Sequence, residues 1–96
     1  MNEIRRLVLD VLKPHHPSII EMADKLSVAK GVMGVNCTVW EVDQETQKIK
    51  ITIEGNGIDY ESVTDAIAQT GAVVHSIDSV SSGKLLVEEV ETPQDR

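Results

Sequence analysis

Residues 48–55 read KIKITIEG, with isoleucine at every second position. Successive side chains of a strand point to opposite faces, so this alternation predicts a β-strand with one buried and one solvated face. The Gly55-Asn56-Gly57 sequence that follows predicts a turn. On both sides of this segment, apolar residues recur at every second position in the other predicted strands and about every 3.6 residues in the predicted helices.

Toward the C-terminus, the pattern predicts a helix and then a strand. Asp59 is placed as the helix N-cap, with apolar residues positioned before and after it as a hydrophobic staple, and Gly71 ends the helix. Residues 73–80 predict a strand. Residues 85–90 predict a possible short extra strand, and we expect the polar tail from about residue 91 to be flexible.

Toward the N-terminus, residues 32–43 alternate like a strand that turns back into residues 48–55. A helix is predicted over about residues 18–30, opened by a capping box and closed by Gly31. Residues 4–12 alternate as a first strand. Two prolines within residues 13–17 are expected to stop that strand.

The resulting order is β-α-β-β-α-β, which is typical of the ferredoxin-like α+β fold. We therefore predict one domain over residues 1–96, with a four-stranded antiparallel sheet in the spatial order 4-1-3-2. Both helices should lie on one face of this sheet. The other face should be bare.

The composition describes an acidic globular domain. Hydrophobic residues make up 41% of the chain, and its net charge of −7 argues against nucleic-acid or anionic membrane partners. Trp40 and Tyr60 are the only aromatic residues, so the core must be aliphatic. The single cysteine, Cys37, and the lack of any long apolar run predict a cytoplasmic protein.

Six short motifs fall in register along nearly the whole chain. They are Leu9-Asp10-Val11-Leu12-Lys13-Pro14-His15, Gly34-Val35-Asn36, Glu41-Val42-Asp43, Ile53-Glu54-Gly55, His75-Ser76-Ile77-Asp78 and Val87-Glu88-Glu89-Val90. Together they resemble the archaeal family catalogued as domain of unknown function two hundred and eleven. This resemblance implies a ferredoxin-like fold and self-assembly, and it implies no particular activity.

This sequence lacks the residues that several known activities of ferredoxin-like domains require. The strands offer only Trp40 for base stacking, the first loop has no cysteine pair for copper, and Lys13 is a poor substitute for a phosphate-binding arginine. A thiol–imidazole pair of Cys37 and His75 is disfavoured, because the predicted order puts them on opposite edge strands, about 14 Å apart.

The histidines offer a second kind of site. His15 and His16 lie in the proline-bracketed loop, and with His75 they supply three imidazoles. They form a transition-metal site only if the loop folds over the fourth strand. A solvated loop is the alternative, and an enzyme using these histidines as proton carriers is a further one.

Carboxylates on the bare face suggest a hard-cation site. We expect strands one and three to be parallel, which brings Asp10 and Glu54 together, with Asn36 beside Glu54 and Asp78 paired with Arg6. Oxygen ligands of this kind, Asp10, Asn36, Glu54 and Asp78, suit Ca²⁺ or Mg²⁺. Alternatively, Arg6, Lys48 and Lys50 neutralise these acids as ordinary surface pairs.

Apolar side chains on the bare face indicate self-association. The residues assigned to or beside that face are Val8, Trp40, Val42, Val74 and Val80. Leu85, Leu86 and Val87 could add a strand to an exposed sheet edge of their own or a neighbouring subunit. The predicted oligomer interface therefore comprises Trp40, Leu85, Leu86 and Val87.

These features favour a homo-oligomeric, non-catalytic binding or regulatory module that takes a divalent cation or a small metabolite. A purely structural or protein-interaction subunit is the alternative.

Overall fold

The computed structural model describes residues 3–90, so the expected flexibility of the tail from residue 91 lies outside the described residues. The elements are β1 (Ile4–Pro14), α1 (Ile19–Ser27), β2 (Val32–Val42), β3 (Thr46–Gly55), α2 (Tyr60–Gln69) and β4 (Val73–Ser82). The predicted β-α-β-β-α-β order is confirmed.

The four strands form one sheet in the order β2-β3-β1-β4, which confirms the ferredoxin-like fold. Every neighbouring pair is antiparallel. The expectation that the first and third strands are parallel is therefore wrong. The two strands of each strand–helix–strand unit are parallel, and one strand of the other unit lies between them. Direct neighbours in the sheet therefore run in opposite directions.

The core lies between the sheet and the two helices. Its fully buried strand residues are Leu7, Leu9, Val11, Ile49, Ile51 and Ile53, and its buried helix residues include Met22, Leu26, Val63 and Ile67. Every strand member belongs to β1 or β3, so the two central strands carry most of the sheet's contribution. Within residues 3–90, no helix lies on the opposite face of the sheet, as predicted.

Both helices begin where their caps predict. The side chains of Ser18 and Asp59 accept hydrogen bonds from the backbone N–H groups of Glu21 and Glu61. These contacts satisfy donors that the first helical turn leaves free. Gly71 follows α2 with a positive φ of 81°, as a C-terminal glycine should.

Helix α1 is shorter than predicted. It ends at Ser27 with Val28 as its C-cap, so Gly31 is not its capping residue. Gly31 is required by packing, because a Cβ there would lie 2.2 Å from the carbonyl oxygen of Gly57. Gly55 is required in turn, because a Cβ there would lie 2.0 Å from the Gly31 carbonyl oxygen, which accepts from the backbone N–H of Asn56. The two loops meet backbone to backbone, which only glycine allows.

The ends of the sheet also differ from the predictions. β1 continues through Pro14, which pairs with Thr46 at the last position of the strand, where a missing N–H is tolerated. Residues 84–90 form no strand, so the possible fifth strand is absent from the described part of the chain. No helix within residues 3–90 is long and apolar enough to cross a membrane.

Strand β4 is irregular, and this changes which residues face the core. Val74 and Val80 stand opposite Val11 and Leu7 and so share the core face, although alternation assigned both to the bare face. The pairing with β1 shifts register at three places, and at two of them a β-bulge adds one residue to β4.

Candidate functional site

The helix-free face of the sheet is a ladder of four cross-strand rungs. Read from β2 to β4, the rungs are Gly34/Glu54/Arg6/Ser81, Asn36/Thr52/Val8/Ser79, Thr38/Lys50/Asp10/Ser76 and Glu41/Lys48/Leu12/Val73. On the two central strands, oppositely charged residues face each other in the first and third rungs, and Lys48 stands opposite Leu12 in the fourth. The face therefore presents acids and lysines side by side, on the most regular part of the sheet.

Three β-bulge residues add to this face from the two edge strands. Trp40 lies between paired residues of β2 and has no partner on β3, and His75 and Asp78 likewise have none on β1. A bulge bends the strand and re-aims the side chain of the extra residue. All three side chains line clefts on the helix-free face.

The Trp40 ring reaches across β3 to β1. Its Nε1–H donates to Asp10 Oδ1 at 3.3 Å, and Lys48 Nζ lies 5.4 Å from the ring centroid, within cation–π range. Lys48 also lies 3.6 Å from Glu41 Oε1. The indole is thus fixed at its edge and over its face, yet it remains 54% exposed.

Two clefts adjoin the indole and share Asp10 and Trp40. The first has a volume of about 270 Å³ and is lined by Asp10, Val11, Leu12, Trp40, Lys48 and His75. The second has a volume of about 430 Å³ and is lined by Asp10, Thr38, Trp40, Lys50 and Asp78. We refer to these residues together as the Trp40 site. Small-molecule sites combine an apolar wall with a few polar groups in this way.

The proposed Asp10–Glu54 cation pair does not form. Asp10 stands opposite Lys50, and Glu54 stands opposite Arg6, four positions farther along β1. Four residues of antiparallel strand separate the two carboxylates by about 13 Å. Residues 3–90 contain no group of three or more His, Cys, Asp or Glu side chains placed to hold a metal ion.

The other two predicted ligands go to different places. Asn36 does share a shallow depression with Glu54, as expected, but its Oδ1 accepts a hydrogen bond from Thr38. Asp78 does not pair with Arg6. Its Oδ1 accepts from the Ser76 hydroxyl at 2.7 Å, and it shares the second cleft with Asp10.

Arg6 has two acidic partners. Its guanidinium contacts Glu54 and Glu88, each at 2.8 Å, and hydrogen bonds to Glu88 and then Glu54 raise the pKa of Arg6 above its usual value. The contact with Glu88 draws the segment after β4 across the start of β1. Arg5 adds a hydrogen bond from Nε to the Gly83 carbonyl.

The three histidines do not converge. His15 Nε2 lies 2.9 Å and 3.0 Å from the carbonyl oxygens of Asp43 and Gln44, so its ring closes on the β2–β3 turn and not on β4. His16 is exposed. His75 belongs to the Trp40 site at the other edge of the sheet. The condition set for a three-histidine metal site is not met.

Cys37 and His75 lie on opposite edge strands, as predicted, with β3 and β1 between them. Burial raises the pKa of the Cys37 thiol to about 11, and the positive charge of Lys13 opposes this only in part. The thiol is therefore protonated at neutral pH, as expected of a small buried hydrophobic residue.

Lys13 is a buried charge that the sequence prediction missed. It follows Val11 on the core-facing parity of β1 and is fully buried. Its Nζ donates to the backbone carbonyls of Pro14, His15 and Pro17, in a loop with a cis His16–Pro17 bond. Burial lowers the pKa of Lys13, and the nearby charge of Glu21 works against that shift.

Two sequence signals could have located these features. Lys13 continues the Leu7, Leu9 and Val11 parity, which already placed it on the core face. Strand β4 carries valine, isoleucine and valine at a spacing of three, at positions 74, 77 and 80. A strand can put all three on one face only if an extra residue lies in each interval.

The fold and the site together describe a ferredoxin-like domain that has a mixed-charge cleft beside a single indole. Comparison with known proteins gives its family. Residues 5–96 match the model of the DUF211 family, described as Uncharacterized ArCR, and the chain belongs to that family. It is also 53% identical over 96 residues to Uncharacterized protein MJ0319 from Methanocaldococcus jannaschii. That similarity covers 100% of this chain and 99% of that protein.

Proposed function

We propose that this protein is a self-associating, non-catalytic module that binds a small metabolite at the Trp40 site. The observation that carries the self-association is an apolar ledge on β4, formed by Ile77 and Val80. The binding half of the proposal depends on the two clefts beside the indole. A cytoplasmic location, as predicted from the free thiol, belongs to the same proposal.

The β4 ledge extends the core surface beyond the cover of the helices. Ile77 and Val80 stand opposite Leu9 and Leu7, which are buried. Both ledge residues are nonetheless about half exposed, at 50% and 51%. Solvation of aliphatic surface costs about 25 cal/mol per Å², which favours covering the ledge with other apolar groups.

A second copy of the chain supplies suitable groups. Leu85 and Val87 are 75% and 70% exposed, because the segment after β4 is held against β1 through Arg6 and not through its own apolar side chains. Strand β4 is also an edge of the sheet, with no partner strand on its outer side among residues 3–90. Exposed edges of this kind favour association. We propose that residues 85–87 of one copy pack on the β4 ledge of another.

The non-catalytic part of the proposal has support in the ionisable groups. The Cys37 thiol is protonated at neutral pH, and the His15 ring is engaged by backbone carbonyls. The site with the most converging polar groups is the Trp40 site, and its arrangement of acids beside lysines suits binding. A divalent cation is not carried forward, because Asp10 and Glu54 lie apart.

Native mass spectrometry tests the self-association. The wild-type protein is expected to give one defined assembly. Val80→Lys should convert it to monomer, because an ammonium would have to be buried against apolar side chains. Ile20→Lys is the matched control: Ile20 is an exposed aliphatic residue on α1, away from the ledge, and its substitution should preserve the assembly.

Circular dichroism shows whether each variant remains folded. Leu85→Lys provides an independent test in a segment without regular structure, and it should also yield monomer. A monomeric wild-type protein would overturn the self-association. Dissociation of the Ile20→Lys control to the same extent would remove the ledge as the interface. A persistent assembly that binds no metabolite would leave the alternative of a purely structural subunit.

A further inference from the structure

We propose that the Trp40 site binds a free α-amino acid with an apolar side chain. This inference deepens the binding half of the proposed function and rests on it. It does not rest on self-association, because every residue that lines the two clefts comes from one chain.

The charges of the site suit a zwitterion. Asp10 and Asp78 face the second cleft together with Lys50, and Lys48 faces the first. Lys50 makes no ion pair or side-chain hydrogen bond within residues 3–90, so its ammonium is available to a carboxylate. The two aspartates provide acceptors for an ammonium group in the same cleft. Charge-assisted hydrogen bonds are the strongest polar contacts available here.

The apolar wall adjoins these charges. Trp40 lines both clefts, and the half-exposed Leu12 side chain lines the first beside it. An aliphatic or aromatic side chain can therefore lie against the indole in the first cleft while the α-carbon groups lie in the second. Contacts of aliphatic and aromatic groups with an indole provide apolar area and favourable ring geometry.

Ligands of a single charge fit less well. A phosphate or other anion would lie beside Asp10 and Asp78, and like charges in one cleft repel. A simple cation would lie beside Lys48 and Lys50 for the same reason. A ligand that carries an ammonium and a carboxylate on the same carbon meets both sets of partners, and α-amino acids are small metabolites of this kind.

The fluorescence of Trp40, the only tryptophan in the chain, provides a direct readout. L-leucine and L-phenylalanine are titrated against the full-length protein, excited where only indole absorbs. Saturable changes in Trp40 emission are expected for both. L-leucinamide lacks the carboxylate and 4-methylpentanoate lacks the ammonium, and each should bind at least about tenfold more weakly than leucine, which is the loss expected for one charge-assisted contact.

Two substitutions assign the contacts. Lys50→Gln and Asp78→Asn should each weaken leucine binding about tenfold, while leaving the indole as the probe. Lys30→Gln is the matched control, since Lys30 is an exposed lysine outside the site, and it should leave the affinity unchanged. For Trp40→Leu, which lacks the fluorescent probe, thermal denaturation is measured with and without leucine. This variant should lose the stabilisation that leucine gives the wild-type protein.

Three results would overturn the inference. The first is wild-type emission that does not respond to millimolar leucine or phenylalanine. The second is equal binding of leucine and leucinamide, which would remove the carboxylate contact. The third is saturation by inorganic phosphate or Mg²⁺ in place of the amino acids. Native mass spectrometry of the same samples reports self-association separately, so failure of one proposal is distinguishable from failure of the other.

Discussion

The two central strands and the two edge strands of this sheet differ in the regularity of their pairing and in the burial of their side chains. β1 and β3 pair without a bulge over nine consecutive positions, and their core-facing aliphatic residues are almost completely buried. β2 and β4 contain register shifts, and their side chains are mostly exposed. The regular pair supports the core. The irregular pair holds the tryptophan, histidine and aspartate of the candidate site.

This difference has a physical basis. A central strand is hydrogen-bonded on both sides, and an extra residue would disrupt two ladders, whereas on an edge strand it disrupts only one. Edge strands can therefore accommodate bulges at lower cost and use them to direct side chains. The candidate site combines both: Asp10, Lys48 and Lys50 are fixed on the central strands, and the bulge residues complete it from the edges.

The largest effect should come from truncating the central strands. Ile51→Ala removes a fully buried side chain on β3 and should lower the free energy of unfolding by about 2–5 kcal/mol. Ile77→Ala, on β4, should cost less than half as much, because its side chain is half exposed. Urea denaturation measures both, in a Leu85→Lys background in which we expect the proposed assembly not to form. Equal losses would contradict the division between centre and edge.

Lys13 on β1 and Lys50 on β3 allow a buried lysine and an exposed lysine of the two central strands to be compared. Lys13→Met should lower the free energy of unfolding by about 1–3 kcal/mol, because the loop carbonyls of Pro14 and His15 lose their donor. Lys50→Met, on the exposed face of β3, should change it by no more than about 0.5 kcal/mol. Urea denaturation at neutral pH compares the two. A stabilised Lys13→Met protein would show that the burial cost outweighs the hydrogen bonds.

The same lysine predicts a dependence on pH. Its pKa is lowered in the folded state, so between that value and the ordinary 10.5 the unfolded chain binds more protons than the folded one. Stability must then rise with pH across this window. The free energy of unfolding of the wild-type protein, measured against that of Lys13→Met, should increase toward pH 10.5. A flat difference would mean that Lys13 titrates normally.

The smallest effect concerns the thiol on the β2 edge. With its pKa raised from 9.0 to about 11, Cys37 should react slowly with iodoacetamide, and its rate should keep rising tenfold per pH unit beyond pH 9. Alkylation is followed by mass spectrometry, with a small thiol as the reference for an unshifted group. A plateau near pH 9 would show that Cys37 is solvated like an ordinary surface thiol.

Prediction from sequence succeeded where local pattern and final contacts coincide. The alternation of Ile49, Ile51 and Ile53 identified the buried face of β3, and Ser18 and Asp59 marked both helix starts. It failed where pairing between distant strands decides the outcome. The Asp10–Glu54 site required parallel neighbours, and reversing the relative direction of the strands placed each carboxylate beside a basic residue.

By itself, the sequence determined the order of the elements, the aliphatic core and the caps, because these depend on periods and side chains within a few residues. Only the tertiary structure decided which residues meet on the helix-free face. The bulges at Trp40, His75 and Asp78 arise from pairing with another strand, and the burial of Lys13 depends on a loop closing over it. Such features reflect contacts between remote segments, which no local pattern specifies.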